Sequence, residues 1–100
     1  MAMVNPPHPG GLVKDNLEEL KMSINGYAKL IGVSPSTVSR LVNEEIAISA
    51  EMAVKLAATI GSTPEQWLRL QASYDLWQAQ QKVDISLLHR IRPLELETRP

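Results

Sequence analysis

The four residues Gly32-Val33-Ser34-Pro35 constrain this chain more than any other part of its sequence. Glycine adopts the left-handed backbone conformation that ends a helix without a steric clash at Cβ. Serine caps a following helix through its hydroxyl, and proline at the first helical position sacrifices no hydrogen bond, because that amide is unpaired anyway. Valine supplies an apolar side chain at the bend. This stretch therefore predicts a tight turn between two short helices.

The segments on both sides of the turn have the residues that two crossing helices need. Ala28 lies four residues before the glycine, where the helices must approach each other closely. Val38 and Leu41 fall on one side of the second helix at helical spacing. The range from 24 to 43 therefore predicts a helix-turn-helix motif.

The side of the second helix that points away from Val38 and Leu41 is polar. Short hydroxyls, one arginine and one asparagine suit contacts with base edges and phosphates in the major groove of DNA. A solvated face of a small amphipathic helix would have a similar composition, and it is the preceding turn that favours DNA binding. The outward residues are Ser36, Arg40 and Asn43, with Thr37 and Ser39 on the flanks.

Length and composition predict one globular domain, because 44% of the 100 residues are hydrophobic. The absence of cysteine excludes a disulfide framework and thiol chemistry, which fits a reducing cytosol. No apolar run approaches the roughly 18 residues of a membrane span, and the first residues do not have the pattern of a signal peptide. We therefore predict a soluble, cytoplasmic protein.

The formal net charge of −1 is unusual for a DNA-binding protein. A basic face normally supplies most of the non-specific affinity for DNA. The near-neutral balance argues against tight DNA binding by a single chain. It favours a weaker DNA-binding protein that relies on dimerisation or on a basic partner.

The rest of the chain predicts an all-α fold with five helices. Prolines make residues 1–9 an extended N-terminal arm, and residues 10–80 form the helix-turn-helix domain. Residues 81–100 form a C-terminal extension that is partly flexible and contributes to a dimer. Within it we predict a short strand at 83–85, one or two helical turns at 86–91 and a frayed end from Arg92. The expected starting points of the helices are Gly10, Ser23, Ser34, Ser49 and Thr63.

The last helix, from Thr63 to Gln80, has two apolar stripes. A terminal helix of a small domain has one core to cover, so the second stripe indicates a second surface. Either a second copy of the chain covers it, or the tail from 83 to 91 folds back over it, and we predict the homodimer. The stripe assigned to the dimer interface is Trp67, Leu70, Tyr74 and Trp77; the other is Leu68, Ala72, Leu76 and Ala79.

The sequence contains no recognisable catalytic or metal-binding pattern. His8 and His89 are far apart, and neither lies near a nucleophile motif. Adjacent carboxylates, as at Glu18-Glu19 and Glu44-Glu45, point apart on a helix and are usually solvated. A glycine-rich phosphate loop and a zinc-protease motif are also missing. We therefore predict no enzymatic activity, no metal and no cofactor.

Beyond these patterns, the chain resembles the HigA antitoxins of the Cro/repressor-type helix-turn-helix superfamily. The resemblance covers about residues 7 to 80, and it includes the opening Pro7-His8-Pro9-Gly10 and the segment 49–61. Its most specific part is the pattern TrpLeuXLeuGlnXXTyrAspLeuTrp at 67–77.

The resemblance implies a five-helix domain that dimerises, binds the operator of its own genes and silences a small basic HigB-type toxin that cleaves mRNA. By position, the residues facing DNA would be Ser34, Ser36, Thr37, Ser39, Arg40 and Asn43.

Two departures from the family bear on DNA binding. Ile24 replaces the glutamine that commonly opens the first helix of the motif, so one expected phosphate contact is missing. Asn43-Glu44-Glu45 stands where the family commonly continues with Asn-Gly-Lys or Asn-Gly-Arg, and carboxylates there would repel phosphates. Two alternatives therefore remain: an interaction module that holds a toxin with little DNA binding, and a phage-like repressor without a toxin.

Overall fold

The computed structural model describes residues 5–92, and in this part of the chain it contains five α-helices and no strand. The all-α class and the five helices predicted from the sequence are confirmed. A short 3-10 helix, Ile85–Leu87, follows the last α-helix. The α-helices are α1 (Pro9–Glu19), α2 (Ile24–Ile31), α3 (Pro35–Val42), α4 (Ala50–Thr59) and α5 (Pro64–Lys82).

Every α-helix begins at a side chain that accepts a hydrogen bond from a backbone N–H of the first turn. Such a cap satisfies an amide that has no partner inside the helix, and its loss costs about 1 kcal/mol. Proline follows the cap in α1, α3 and α5, as its fixed φ favours. The capping residues are His8, Ser23, Ser34, Ser49 and Thr63.

The core lies where α1, α2 and α3 meet α4 and the start of α5. Tyr27, Leu41 and Leu56 are among its largest fully buried side chains. Burying a side chain of this size stabilises the fold by roughly 1.5–3 kcal/mol. The other core residues are Val13, Leu17, Ala28, Ile31, Val38, Val42, Ile48, Met52, Ala53 and Trp67.

The N-terminal arm is attached to the domain along the part that the structure describes. Pro6 and His8 are buried, and the His8 ring meets Tyr74 of α5 edge to face, with ring centroids 4.8 Å apart. His8 Nδ1 also accepts the Gly10 N–H over 2.8 Å. The arm predicted over residues 1–9 is therefore a docked segment from Pro6 onward, and Pro9 already belongs to α1. Residues 1–4 lie outside the described part.

The C-terminal extension differs from the prediction. The strand expected at 83–85 is wrong, because Val83 and Asp84 are irregular and Ile85 starts the 3-10 helix. The alternative in which the tail folds back over α5 is also contradicted, since Ile85 and Leu87 are each 75% exposed. The frayed end expected from Arg92 falls almost entirely on residues 93–100, which lie outside the described part.

The two stripes of α5 have opposite surroundings. Trp67 is 4% exposed and its Nε1 donates to the Gly61 carbonyl over 2.9 Å, so it belongs to the core of its own chain. Its assignment to a dimer interface is corrected for that reason: it has almost no surface to offer a partner. On the other stripe Leu76 is 59% exposed, and Leu68, Ala72 and Ala79 are exposed as well.

Candidate nucleic-acid interface

The outer face of α3 is polar and open to solvent, whereas its inner face lies in the core. Val38 and Leu41 are fully buried. Ser36, Arg40 and Asn43 are exposed on the other side, as the helical spacing predicts. Thr37 and Ser39 are partly exposed on the flanks, and Ser34 is exposed at the cap. The structure therefore brings all six predicted DNA-contacting residues to one surface.

Three hydroxyls at the start of α3 form a hydrogen-bonded cluster. Ser34 Oγ accepts the Thr37 N–H over 3.2 Å, and it lies 2.9 Å from Thr37 Oγ1 and 3.1 Å from Ser36 Oγ. A hydroxyl donates one hydrogen bond and accepts up to two, so this cluster uses part of its capacity internally. The remaining capacity is held in a fixed arrangement at the end of the helix that would enter a groove.

Arg40 is the cation of this surface. It is exposed, and no other described residue forms a hydrogen bond or an ion pair with its side chain. A guanidinium without an internal partner is available for a bidentate contact with guanine or for a phosphate oxygen. Its position one turn before Asn43 places both side chains near the end of α3.

The backbone that follows α3 forms a left-handed helix cap. The Glu45 N–H donates to the Arg40 carbonyl over 2.8 Å, and the Glu44 N–H donates to the Leu41 carbonyl over 2.9 Å. Glu44 has a φ of 62°, the conformation that this type of cap requires and that glycine adopts without strain. The glutamate thus occupies a position whose backbone geometry favours glycine.

The two adjacent carboxylates have different surroundings. A Cβ built on Gly11 would lie 3.0 Å from Glu44 Oε2, so this carboxylate lies beside the first turn of α1. The positive end of the helix dipole favours an anion there. Both glutamates are exposed, but Glu45 lies in the loop that continues the outer face of α3. Of the two glutamates, Glu45 is therefore the one that would oppose a DNA phosphate more directly.

The start of α1 packs closely on the end of α3. A Cβ added at Gly10 would overlap the Leu41 carbonyl oxygen, so only glycine fits at this contact. This close approach fixes the arm and the first turn of α1 next to the loop after α3. The sequence pattern predicts a helix starting at Gly10 but not this contact, because the contact depends on how distant segments pack.

The residue that holds the far end of this loop is not predicted by the sequence patterns either. Gln71 Oε1 accepts the Ile48 N–H over 2.9 Å, across 23 positions of the sequence. The available signal was a glutamine inside an apolar helix stripe. Since a buried polar side chain is normally hydrogen-bonded, such a residue indicates a specific partner.

In the part of the chain between residues 5 and 92, no cluster of metal ligands accompanies this surface. No group of three or more His, Cys, Asp or Glu residues in that part could hold a metal ion. No helix there is both long and apolar enough to cross a membrane.

Burial raises the pKa of the Tyr27 phenol above its ordinary value of 10.0, although a hydrogen bond with Thr59 partly opposes the shift. That phenol lies in the core.

Comparison with known proteins gives one family and several similar chains. A family model described as helix-turn-helix matches residues 13–68. The chain is 42% identical to an uncharacterized HTH-type transcriptional regulator of Escherichia coli K12, YddM, over 91% of this chain and 97% of that protein. It is 37% identical to the antitoxin HigA-1 of Vibrio cholerae, over 77% of this chain and 73% of the relative.

Among solved structures, the fold matches the Pseudomonas aeruginosa antitoxin HigA, whose structure was determined with the higBA promoter. The TM-score is 0.80 and the sequence identity is 34%, and the match covers 90% of this chain and 99% of the other.

Proposed function

Because this chain belongs to the Cro/repressor-type helix-turn-helix family of non-enzymatic DNA-binding proteins that includes the HigA antitoxins, we propose that it is an antitoxin and an autorepressor. In this proposal it binds and neutralises a small basic HigB-type toxin that cleaves mRNA. It also represses its own operon by sequence-specific binding to double-stranded DNA as a homodimer.

The outer face of α3 carries the DNA-binding half of the proposal. Its residues are held by a capped helix whose opposite side is buried, so the surface is formed before any ligand arrives. Preorganised polar groups on a rigid element lose little entropy on binding. The antitoxin HigA of P. aeruginosa, which shares this fold, was seen with the higBA promoter.

A titration of the DNA upstream of its own reading frame tests this half. We expect saturable binding that a scrambled duplex of equal length does not reproduce, measured at two salt concentrations. Because phosphate contacts release counterions, the affinity should fall as salt rises. Equal affinity for both duplexes at both salt concentrations would contradict sequence-specific repression.

The exposed stripe of α5 supports the homodimer. Leu68 and Leu76 lie on it, and Ile85 and Leu87 of the tail are exposed next in the chain. An apolar surface of this kind is typical of an interface between chains. Trp77, Tyr74 and Leu70 are partly buried and would border the interface from the other stripe. In a dimer of this motif the two recognition helices would lie about 34 Å apart and match half-sites one turn apart.

The toxin half of the proposal rests on charge and on the family. The net charge of −1 gives a basic partner no overall repulsion to overcome. We propose that the toxin binds away from the outer face of α3, on α1 and the N-terminal arm. Co-expression with a small basic reading frame next to the gene should rescue growth, and the two proteins should co-purify. Failure of the pair to co-purify would contradict the antitoxin role.

Glu45 favours a second candidate function. Its exposed carboxylate follows the outer face of α3, and Ile24 offers no polar atom at the start of α2. Both features weaken binding to phosphates. In this candidate the chain is an interaction module that holds a toxin and has little affinity for DNA. A folded dimer that co-purifies with the toxin and shows no preference for its own promoter, even at low salt, would favour it.

A further inference from the structure

Gln71 is a buried polar residue of α5 that hydrogen-bonds at both ends of its amide. Its Oε1 accepts the Ile48 N–H over 2.9 Å, and its Nε2 donates to Asp75 Oδ1 over 2.9 Å. A backbone amide only donates and a carboxylate only accepts, so the orientation of the side-chain amide is determined by its two partners. With 5% of its surface exposed, Gln71 has almost no access to solvent in place of either partner.

Ile48, whose amide binds Gln71, is the last residue of the loop that follows the outer face of α3. This loop begins at Asn43, where the left-handed cap at Glu44 fixes its first residues. It ends at Ile48, whose side chain is 6% exposed and packs in the core. Glu45 and Ala47, between these two fixed points, are exposed.

We propose that Gln71 is a positioning residue for DNA binding, which acts through the Ile48 amide to hold this loop at a fixed place beside α3. The inference rests on the proposed DNA-binding function. A loop that is held at both ends loses little conformational entropy when DNA binds next to it. Release of the Ile48 amide frees the far end of the loop and removes this advantage.

The main test replaces Gln71 with leucine, which fills similar space without binding the Ile48 amide. In the full-length protein we expect operator-region affinity to fall about tenfold, the size of effect that a residue without ligand contact can produce. Binding is measured by titrating the DNA upstream of its own reading frame, at a temperature where circular dichroism shows the variant folded. Hydrogen exchange of the Ile48 amide should accelerate while amides in α1 keep their protection.

A pair of polar variants tests the geometry itself. In Q71E the new carboxylate faces Asp75, so repulsion should weaken DNA binding. In D75N an amide oxygen still accepts from Gln71, so affinity should stay within about twofold of the original. The double variant Q71E/D75N restores a donor at position 75 for the carboxylate at 71, and Ile48 keeps its acceptor. We therefore expect its affinity to recover to within about twofold of the original.

A stability control separates positioning from a general loss of stability. Y27F removes the 2.7 Å hydrogen bond between Tyr27 and Thr59, which joins α2 to the end of α4. We expect Y27F to leave operator affinity unchanged under conditions in which it is folded.

Three results would overturn the inference: original affinity in Q71L, equal weakening in Y27F, or no recovery in Q71E/D75N. If the unaltered protein does not prefer its own promoter, the proposed repressor function fails, and the inference fails with it. If the unaltered protein binds and Q71L binds equally well, only the inference fails.

Discussion

The Arg40 carbonyl accepts the Glu45 N–H over 2.8 Å, so the cation of the outer face of α3 and an exposed glutamate share one backbone cap. Their side chains have opposite effects on an approaching phosphate, and the cap fixes the backbone that connects them. The net attraction of this surface for DNA therefore depends on these two residues together. Changing either charge should alter DNA affinity without altering the cap, because only main-chain atoms form it.

Replacement of Arg40 with alanine should weaken DNA binding. A bidentate contact with a guanine would be lost at a cost of about 1–3 kcal/mol, and discrimination at that base would relax. Loss of a phosphate contact would instead weaken binding to all DNA sequences alike, and it would lower the slope of log affinity against log salt by about one. Titrations with the promoter and a scrambled duplex at two salt concentrations distinguish the two cases. R69A is the matched control, since Arg69 is an exposed cation on α5 that binds Gln66.

Neutralising Glu45 should tighten DNA binding, and E45K should do so further by adding an attracting charge. Because the Glu44 carboxylate lies beside the first turn of α1, E44Q should have the smaller effect of the two neutral changes. Replacement of Glu44 with glycine and Glu45 with lysine should give the tightest binding. The affinities are compared at low salt, where screening is weakest. Equal gains from E44Q and E45Q would contradict the difference in their surroundings.

The left-handed conformation of Glu44 predicts a difference between two further variants. E44A retains the strain of a Cβ at a φ of 62°, whereas E44G removes it. We expect E44G to be more stable than E44A by about 1 kcal/mol, measured as free energies of unfolding in urea. Lys21, with a φ of 56° at the end of α1, is the matched control. The free energy of unfolding of K21G should exceed that of K21A by a similar amount. Equal stabilities within both pairs would contradict the interpretation.

The local parts of this fold could be predicted from the sequence, because their causes lie within a few residues. Ser34, Pro35 and Gly32 each have one physical role in a turn, and the structure confirms all three. The His8 contact with Tyr74 and the Gln71 contact with Ile48 were not predicted, because they join segments separated by 66 and 23 positions. Residue types alone do not show which distant segments will meet.

The stripes of α5 illustrate the same limit. Helical spacing correctly separated two apolar faces, but it contained no information on which face meets the core. The larger aromatic residues were assigned to the dimer, and Trp67 instead fills the core of its own chain. An indole N–H needs a partner when buried, and the Gly61 carbonyl provides it.

The pKa of Tyr27 predicts how stability changes in alkaline solution. Burial raises this pKa above 10.0 in the folded protein, so the folded state retains the phenol proton at pH values where the unfolded chain loses it. The stability contributed by the neutral phenol is complete below the pKa of the unfolded chain and is lost as pH rises through the higher folded value. The unfolding free energy should therefore fall more steeply above pH 10 in the unaltered protein than in Y27F. Parallel curves of unfolding free energy against pH for the two proteins would contradict this prediction.

Replacement of Leu76 with glutamate should separate the proposed homodimer. Leu76 is 59% exposed in a single chain, so a charge there costs little in the monomer. In a dimer the same carboxylate would be buried against apolar side chains, which is unfavourable by several kcal/mol. Sedimentation at micromolar concentration should show a dimer for the unaltered protein and a monomer for L76E.

L30E is the matched control, because Leu30 is also 59% exposed but lies on α2. It should remain dimeric, since the substitution adds the same charge at the same exposure on a different helix. A monomeric unaltered protein would contradict the dimer itself. Dimers of L76E as stable as those of L30E would instead show that the interface lies elsewhere. Because a monomer places only one recognition helix on DNA, L76E should also lose affinity for a two-half-site promoter more than for a single half-site.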